Sequence, residues 1–194
     1  MDFEFKSKPI DKLKADFLRR KKKGLSAFVD FEEFLSWYNT QKLKDLFEIN
    51  EIYFVPVEKG DWLGHIDSMA RFISSDTLLI NDYSKEKQGT YVDFLSALHN
   101  AKLNWITFPF NPYNNNDDND ATGVYLNYLE LDKFIILPVF GIDTDKSAIR
   151  KAKEIFSQKT IIPVKSNQPA KDNGIINCLT WNIKKCNHIN NRNI

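Results

Sequence analysis

The sequence holds two cysteines, Cys178 and Cys186, and three histidines, His65, His99 and His188. An ionised thiol is a nucleophile, and an imidazole moves protons near neutral pH. Gly64-His65-Ile66-Asp67 sets a His two positions from an Asp. In an extended chain, residues two apart project to one face, so an imidazole and a carboxylate would enter one cavity. The glycine before them permits a turn or a close approach to a ligand. A hydrogen-bonded pair that stabilises a turn accounts for the same residues. In Asn173-Gly174-Ile175-Ile176-Asn177-Cys178-Leu179-Thr180 a turn dipeptide feeds a short apolar run with one thiol. That thiol is either a nucleophile or a small buried hydrophobe. Cys186 sits in a polar tail, where adventitious oxidation is the simpler chemistry.

Other chemistries find less support. The histidines are scattered and no Cys/His cluster has zinc spacing, so no metal is expected. No glycine-rich phosphate loop is present, and no cofactor is expected. The 27 basic and 26 acidic residues nearly cancel, which gives no global reason to expect nucleic acid or an anionic membrane as partner. No apolar run approaches the roughly 20 residues of a membrane span, and Met1 to Ile10 is charged, without the apolar stretch of a leader. Two cysteines are too few for a disulfide framework, so reduced thiols and a cytoplasmic location are expected.

The elements that must position these groups alternate. Ile10 to Leu18 has helical periodicity and runs into the basic stretch Arg19 to Lys23, with Gly24 as a stop. That stretch is either a solvated helix end or an anion site. A second helix spans Phe31 to about Phe47, with Asp30 as its N-cap and Glu33 three residues later. Ile52–Val57 reads as a buried strand, Phe72–Asn81 holds another, Ser84–Lys102 reads as a helix and Trp105–Phe110 as a short strand. Asn111–Asp120 is a polar loop, either solvated or a lid whose Asp117, Asp118 and Asp120 attract a cationic substrate. Val124–Leu131 and Phe134–Phe140 read as consecutive strands, Thr144–Phe156 as a helix, and Thr160–Val164 and Ile175–Trp181 as strands. The pattern predicts α/β, with a single domain over 1–183, its first 50 residues helical, and a polar tail over 184–194. A repeat of strand-strand-helix-strand modules is compatible with this order, but residue identities do not establish one.

Together the segments resemble a known family. Gly64-His65-Ile66-Asp67-Ser68-Met69-Ala70-Arg71-Phe72 resembles the Gly-His-x-Asp segment of agmatine deiminases and bacterial-type peptidylarginine deiminases. Asn173 to Thr180 is similar to their Gly-Gly-x-x-His-Cys-x-Thr segment. Between these, Gly123-Val124-Tyr125-Leu126-Asn127-Tyr128 resembles Ser-Tyr-x-Asn-Phe, and Phe134 to Gly141 resembles an apolar strand ending in Pro-x-Phe-Gly. The order is the family's, and the resemblance covers roughly Leu43 to Trp181.

The resemblance implies a pentein-like fold: a pseudo-fivefold α/β propeller of ββαβ modules, here partial or reduced. It implies Cys-dependent deimination of agmatine, arginine or peptidyl-arginine, with an amidinotransferase as the less favoured variant. Cys178 would attack the guanidinium carbon to give a covalent thiouronium. His65 would move protons, and Asp67 would bind guanidinium nitrogens through charge-assisted hydrogen bonds. Asn127, Tyr125 and Asn177 would line the substrate site. The sequence departs from the family in three places. No Trp-x-Arg-Asp segment supplies the second guanidinium-binding Asp, for which Asp61 or Asp30 are substitutes. Only 64 residues precede His65, so one or two modules are expected to be absent. Asn177 stands where agmatine deiminases carry His. A catalytically incomplete guanidine-binding or interaction protein is therefore the alternative. A partial propeller would expose strand edges, which a homodimer would cover.

Overall fold

The computed structural model describes residues 10–23, 30–58, 64–86, 88–115, 117, 120–172 and 174–181. The chain divides into two compact units, Met1–Phe54 and Val55–Ile194, where the sequence suggested one domain with a helical beginning.

The first unit contains α1 (Ile10–Lys22) and α2 (Phe31–Phe47). Asp30 caps α2: its side chain accepts the Glu33 amide at 2.9 Å, satisfying a donor that the helix cannot. Leu13, Phe17 and Phe34 are buried, and the rings of Phe17, Phe31 and Phe34 stack at tilted angles. The basic run ends α1 as a helix end should, with Arg19 and Arg20 both paired to Asp16.

The second unit is built from two three-stranded sheets. The first comprises β1 (Ala70–Phe72), β2 (Thr77–Asn81) and β3 (Asn104–Phe108), with α4 (Gln88–Asn100) crossing between β2 and β3. The second comprises β4 (Leu129–Glu130), β5 (Phe134–Val139) and β6 (Thr160–Lys165), with α5 (Thr144–Ile155) crossing between β5 and β6. In each sheet the first pair is antiparallel and the second parallel. The two sheets are thus copies of one ββαβ plan. Matching hydrogen bonds fix their equivalence. Ile73 donates to Thr77 as Leu131 donates to Phe134, and Asn104 donates to Asp76 as Thr160 donates to Lys133.

Apolar sequence explains the core. Leu79, Ile80, Phe108, Ile135 and Leu137 are wholly buried in the strands, and α5 turns Ala148 and Ala152 inward. Small residues let α5 approach the core closely, while its Lys146, Arg150 and Lys153 face outward. In β6, Thr160 and Ser166 both send amides to β5, at 2.9 Å each. By strand alternation Pro163 then faces the outer edge, where its missing N–H breaks the row open to another chain.

Several expected strands are replaced. Ile52–Val57 has no regular structure, although Val55 packs on the core. Phe72–Asn81, by contrast, holds its expected strand as β2, and a turn at Ser74, Ser75 and Asp76 joins it to β1: the Ser74 and Thr77 hydroxyls both bind the Asp76 carboxylate. Ser84–Lys102 begins as a 3-10 turn at Tyr83–Lys85 and becomes helical at α4. Only Leu129–Glu130 of Val124–Leu131 is strand, apart from one bridge between Val124 and Phe110. Ile175–Thr180 is a series of turns, with the Leu179 amide on the Ile175 and Ile176 carbonyls and the Thr180 amide on Asn177.

Candidate active site

Asp67 lies in the short helix α3 (Ile66–Met69), with His65 at its N-cap. The extended segment expected there is absent because Ser68 folds the chain back. Its hydroxyl and amide bind the His65 carbonyl at 2.7 and 3.2 Å. His65 and Asp67 are therefore neighbours on a turn, each half-buried, and period-two alternation does not relate them. Gly64 enters this turn at φ 73, a left-handed value suited to glycine. Asn81, fully buried at the end of β2, ties the turn down by donating to the Ser68 carbonyl at 2.9 Å.

Asn127 approaches from the second module. Gly123 opens its segment at φ 89, and a Cβ there would collide with the Asn111 carbonyl. Tyr125 follows, wholly buried, with its hydroxyl donating to Asp145 at 2.7 Å. Tyr125 was expected to line the substrate site; among the described residues its hydroxyl is taken by Asp145. Burial pushes its hydroxyl pKa up, and the Asp145 carboxylate reinforces the shift. Asp145, at the start of α5, also accepts the amides of Phe140, Gly141 and Ile142. It clamps the β5–α5 turn to the Asn127 segment. Sequence reasoning gave it no such role; a carboxylate shortly after Gly141 at a helix start was the available signal.

Asn127 joins the pieces. Its Nδ2 donates to Asp67 Oδ2 at 2.9 Å and to Cys178 Sγ at 3.2 Å. Its Oδ1 accepts the amides of Asn177 at 2.9 Å and Cys178 at 3.3 Å, and its backbone carbonyl also accepts Asn177 N at 3.2 Å. Asn177 Nδ2 donates to Asp67 Oδ2 at 2.8 Å. The Cys178 sulfur lies 3.7 Å from the same oxygen. Cys178 is exposed while Asn127 is almost fully buried. A reachable thiol thus stands on a rigid polar base, next to a carboxylate 111 positions upstream.

Asp67, Asn127, Asn177 and Cys178 are brought together, and His65 shares the Asp67 turn. Asp61 and Cys186 lie outside the described residues, as does Asp118 of the acidic loop. Asp120 is turned inward to the Thr122 amide, and Asn115 binds the Asp120 and Thr122 carbonyls, so this part of the loop braces Gly123. Among the described residues, no group of three or more His, Cys, Asp and Glu is arranged to hold a metal ion, and no helix is long and apolar enough to cross a membrane.

Residues 38–183 match the model of the family described as Porphyromonas-type peptidyl-arginine deiminase. The chain belongs to this family. A C. jejuni agmatine deiminase is similar in structure, with a TM-score of 0.59 at 20% identity over 71% of this chain and 44% of that one. A cysteine-to-serine variant of C. jejuni agmatine deiminase, solved with substrate bound, matches with a TM-score of 0.53 at 22% identity, covering 71% of this chain and 43% of that one. A Streptococcus mutans protein provisionally named an agmatine deiminase is 24% identical over 168 residues, 72% of this chain. The chain spans 45% of the length of that curated relative. The likeness to the solved structures is one of fold, a mixed α/β architecture.

Proposed function

We propose that this chain carries the nucleophile side of a guanidine-deiminating site. The observation that carries the reading is the convergence of Cys178 Sγ, the Asp67 carboxylate and the Asn127 amide within 3.7 Å. The contacts to Asp67 among the described residues fall on Oδ2, which leaves Oδ1 toward a guanidinium. A thiolate beside a carboxylate brings two negative charges together. A guanidinium between them neutralises both, so the cation recruits the nucleophile that attacks it. The Cys178 sulfur bonds to the guanidinium carbon, and His65 protonates the departing nitrogen, releasing ammonia. Water then adds to the covalent thiouronium, the C–S bond breaks, and a ureido product leaves with the thiol restored. Capture of substrate by a cysteine-to-serine variant of the C. jejuni relative supports a cysteine-dependent step in the family.

Agmatine, arginine and arginyl peptides are the substrates this reading covers. The complete fold we propose is a pseudo-fivefold propeller, of which the described residues contain two ββαβ modules. Further modules, including those of a second copy, would supply the carboxylate opposite Asp67. A second reading is a guanidine-binding relative without turnover, in which Asp67 and Asn177 hold the cation and Cys178 does not attack.

Release of ureido product and ammonia from agmatine, arginine and arginyl peptides tests the first reading, with Cys178→Ala as control. Alkylation separates the two. A haloacetamidine, which carries the guanidinium-like cation, should modify Cys178 faster than neutral iodoacetamide. Equal slow rates, with no release from any guanidine by folded protein, would leave the deiminase reading without support.

A further inference from the structure

We infer that Pro138 is a positioning residue for the site, acting by withholding one backbone hydrogen from Asn127; the inference rests on the proposed role of that site. In the antiparallel β4–β5 pair, Leu131 donates to Phe134, and Leu129 lies opposite Ile136. Amides alternate in direction along a strand. The next β5 residue whose amide would face β4 is therefore residue 138, and its partner in this register is Asn127. Residue 138 is proline and has no N–H to give. The ladder ends at Leu129↔Ile136, and the Asn127 carbonyl accepts the Asn177 amide instead, at 3.2 Å.

The first module supplies an internal comparison. By the matching hydrogen bonds, Asn81 occupies the place of Pro138 and Met69 that of Asn127. Asn81 has an amide, and there the ladder runs one pair further, to Ala70↔Ile80. The equivalent pair in the second module, Tyr128 with Leu137, is not formed. In the first module the ladder reaches Ala70, with Met69 closing the α3 turn, whereas in the second it stops at Leu129, and the imino acid accounts for the lost pair. An amide at 138 would draw the Asn127 carbonyl toward β5 and away from the Asn177 amide, shifting the residue whose side chain holds both Asp67 and Cys178.

The test uses Pro138→Ala and Pro138→Val, each of which restores an amide; the second suits a strand should the first fold poorly. Pro163→Ala is the control, since it relaxes a proline of the adjacent strand whose amide would face the outer edge. In the Pro138 variants the new amide at 138 should be protected from hydrogen exchange. The Asn177 amide, which loses the carbonyl at 3.2 Å but keeps Asn127 Oδ1 at 2.9 Å, should exchange faster by up to about fivefold, the factor that one net hydrogen bond represents. The Ile73 amide of the first module should not change. Haloacetamidine alkylation of Cys178 should slow by a similar factor, and Pro163→Ala should match wild type in all three. Unchanged Asn177 exchange and unchanged alkylation in a folded Pro138 variant would overturn the inference. Absence of guanidine turnover in wild type would remove the deiminase reading, yet the exchange contrast would still decide the role of Pro138.

Discussion

The Asn127 side-chain amide donates to the Asp67 carboxylate at 2.9 Å across 60 residues of sequence, linking the two modules at their reactive rim. Asn127→Ala removes this donor and strands the Asn177 and Cys178 amides that its Oδ1 accepts. A loss of about 1–3 kcal/mol in unfolding free energy is expected. Asn127→Asp should lose more, because it sets one carboxylate against another. Urea unfolding at pH 7 checks both; equal effects of the two variants would contradict the geometry.

Gly123→Ala should destabilise strongly, by about 2–4 kcal/mol, because it joins left-handed strain at φ 89 to a collision with the Asn111 carbonyl. Gly89→Ala is the contrast. That glycine lies in α4 with open space around it, and alanine there should be neutral or stabilising by up to about 1 kcal/mol. Denaturant midpoints of the two variants should move in opposite directions, or only the first should move.

Asp145→Ala deprives the Phe140, Gly141 and Ile142 amides and the Tyr125 hydroxyl of one shared acceptor. About 3 kcal/mol of stability should be lost, the upper range for hydrogen bonds to a charged group. Tyr125→Phe alone should cost about 1 kcal/mol. Combined, the two should cost less than their sum, since each removes the other's partner. Strict additivity in a double-mutant cycle would deny the coupling.

Alkaline pH should unfold the second unit. Burial pushes the pKa of Tyr128 up to about 12, and burial also raises those of Tyr83 and Tyr125. Between the ordinary tyrosine value near 10 and these raised values, the native state keeps protons that the unfolded chain releases. Stability from these groups is full below about pH 10 and falls as pH rises toward about 12. Urea midpoints across this range, with tyrosinate absorbance at 295 nm, should show unfolding and ionisation together; a flat midpoint would contradict it.

The elements with strong local signals were legible in the sequence. Asp30 caps α2 as its spacing with Glu33 suggests, and α5 between β5 and β6 follows its apolar periodicity. What failed depended on distant partners. Ile175–Trp181 has the composition of a strand, but its backbone is committed to turns, with Asn177 and Cys178 held by Asn127 some 50 positions away. No local pattern encodes that. At His65–Asp67 the error was local: a serine one position after Asp67 folds the segment, which outweighed the assumption of extended backbone.

The site shows the same division. Cys178 and Asp67 were recognisable by type and by resemblance, and the structure adds their 3.7 Å separation. Asn127 was expected to meet substrate; its side chain contacts Asp67 and Cys178, the groups proposed to act on substrate. Tyr125 shares its segment but spends its hydroxyl on Asp145, because a buried phenol needs a partner and the helix start provides one. The internal repeat escaped residue comparison because the modules share hydrogen-bond register while differing in side chains, Asn81 against Pro138 being one case.

That shared register has a consequence for how such a protein can change. Because the strands and crossover helices of both copies pack into one shared core, exposed site residues such as Cys178 carry little architectural duty. One copy can therefore diversify toward new reactivity while its twin keeps the original ladder, and substitutions at the mouth of the site should be tolerated far more often than those beneath it.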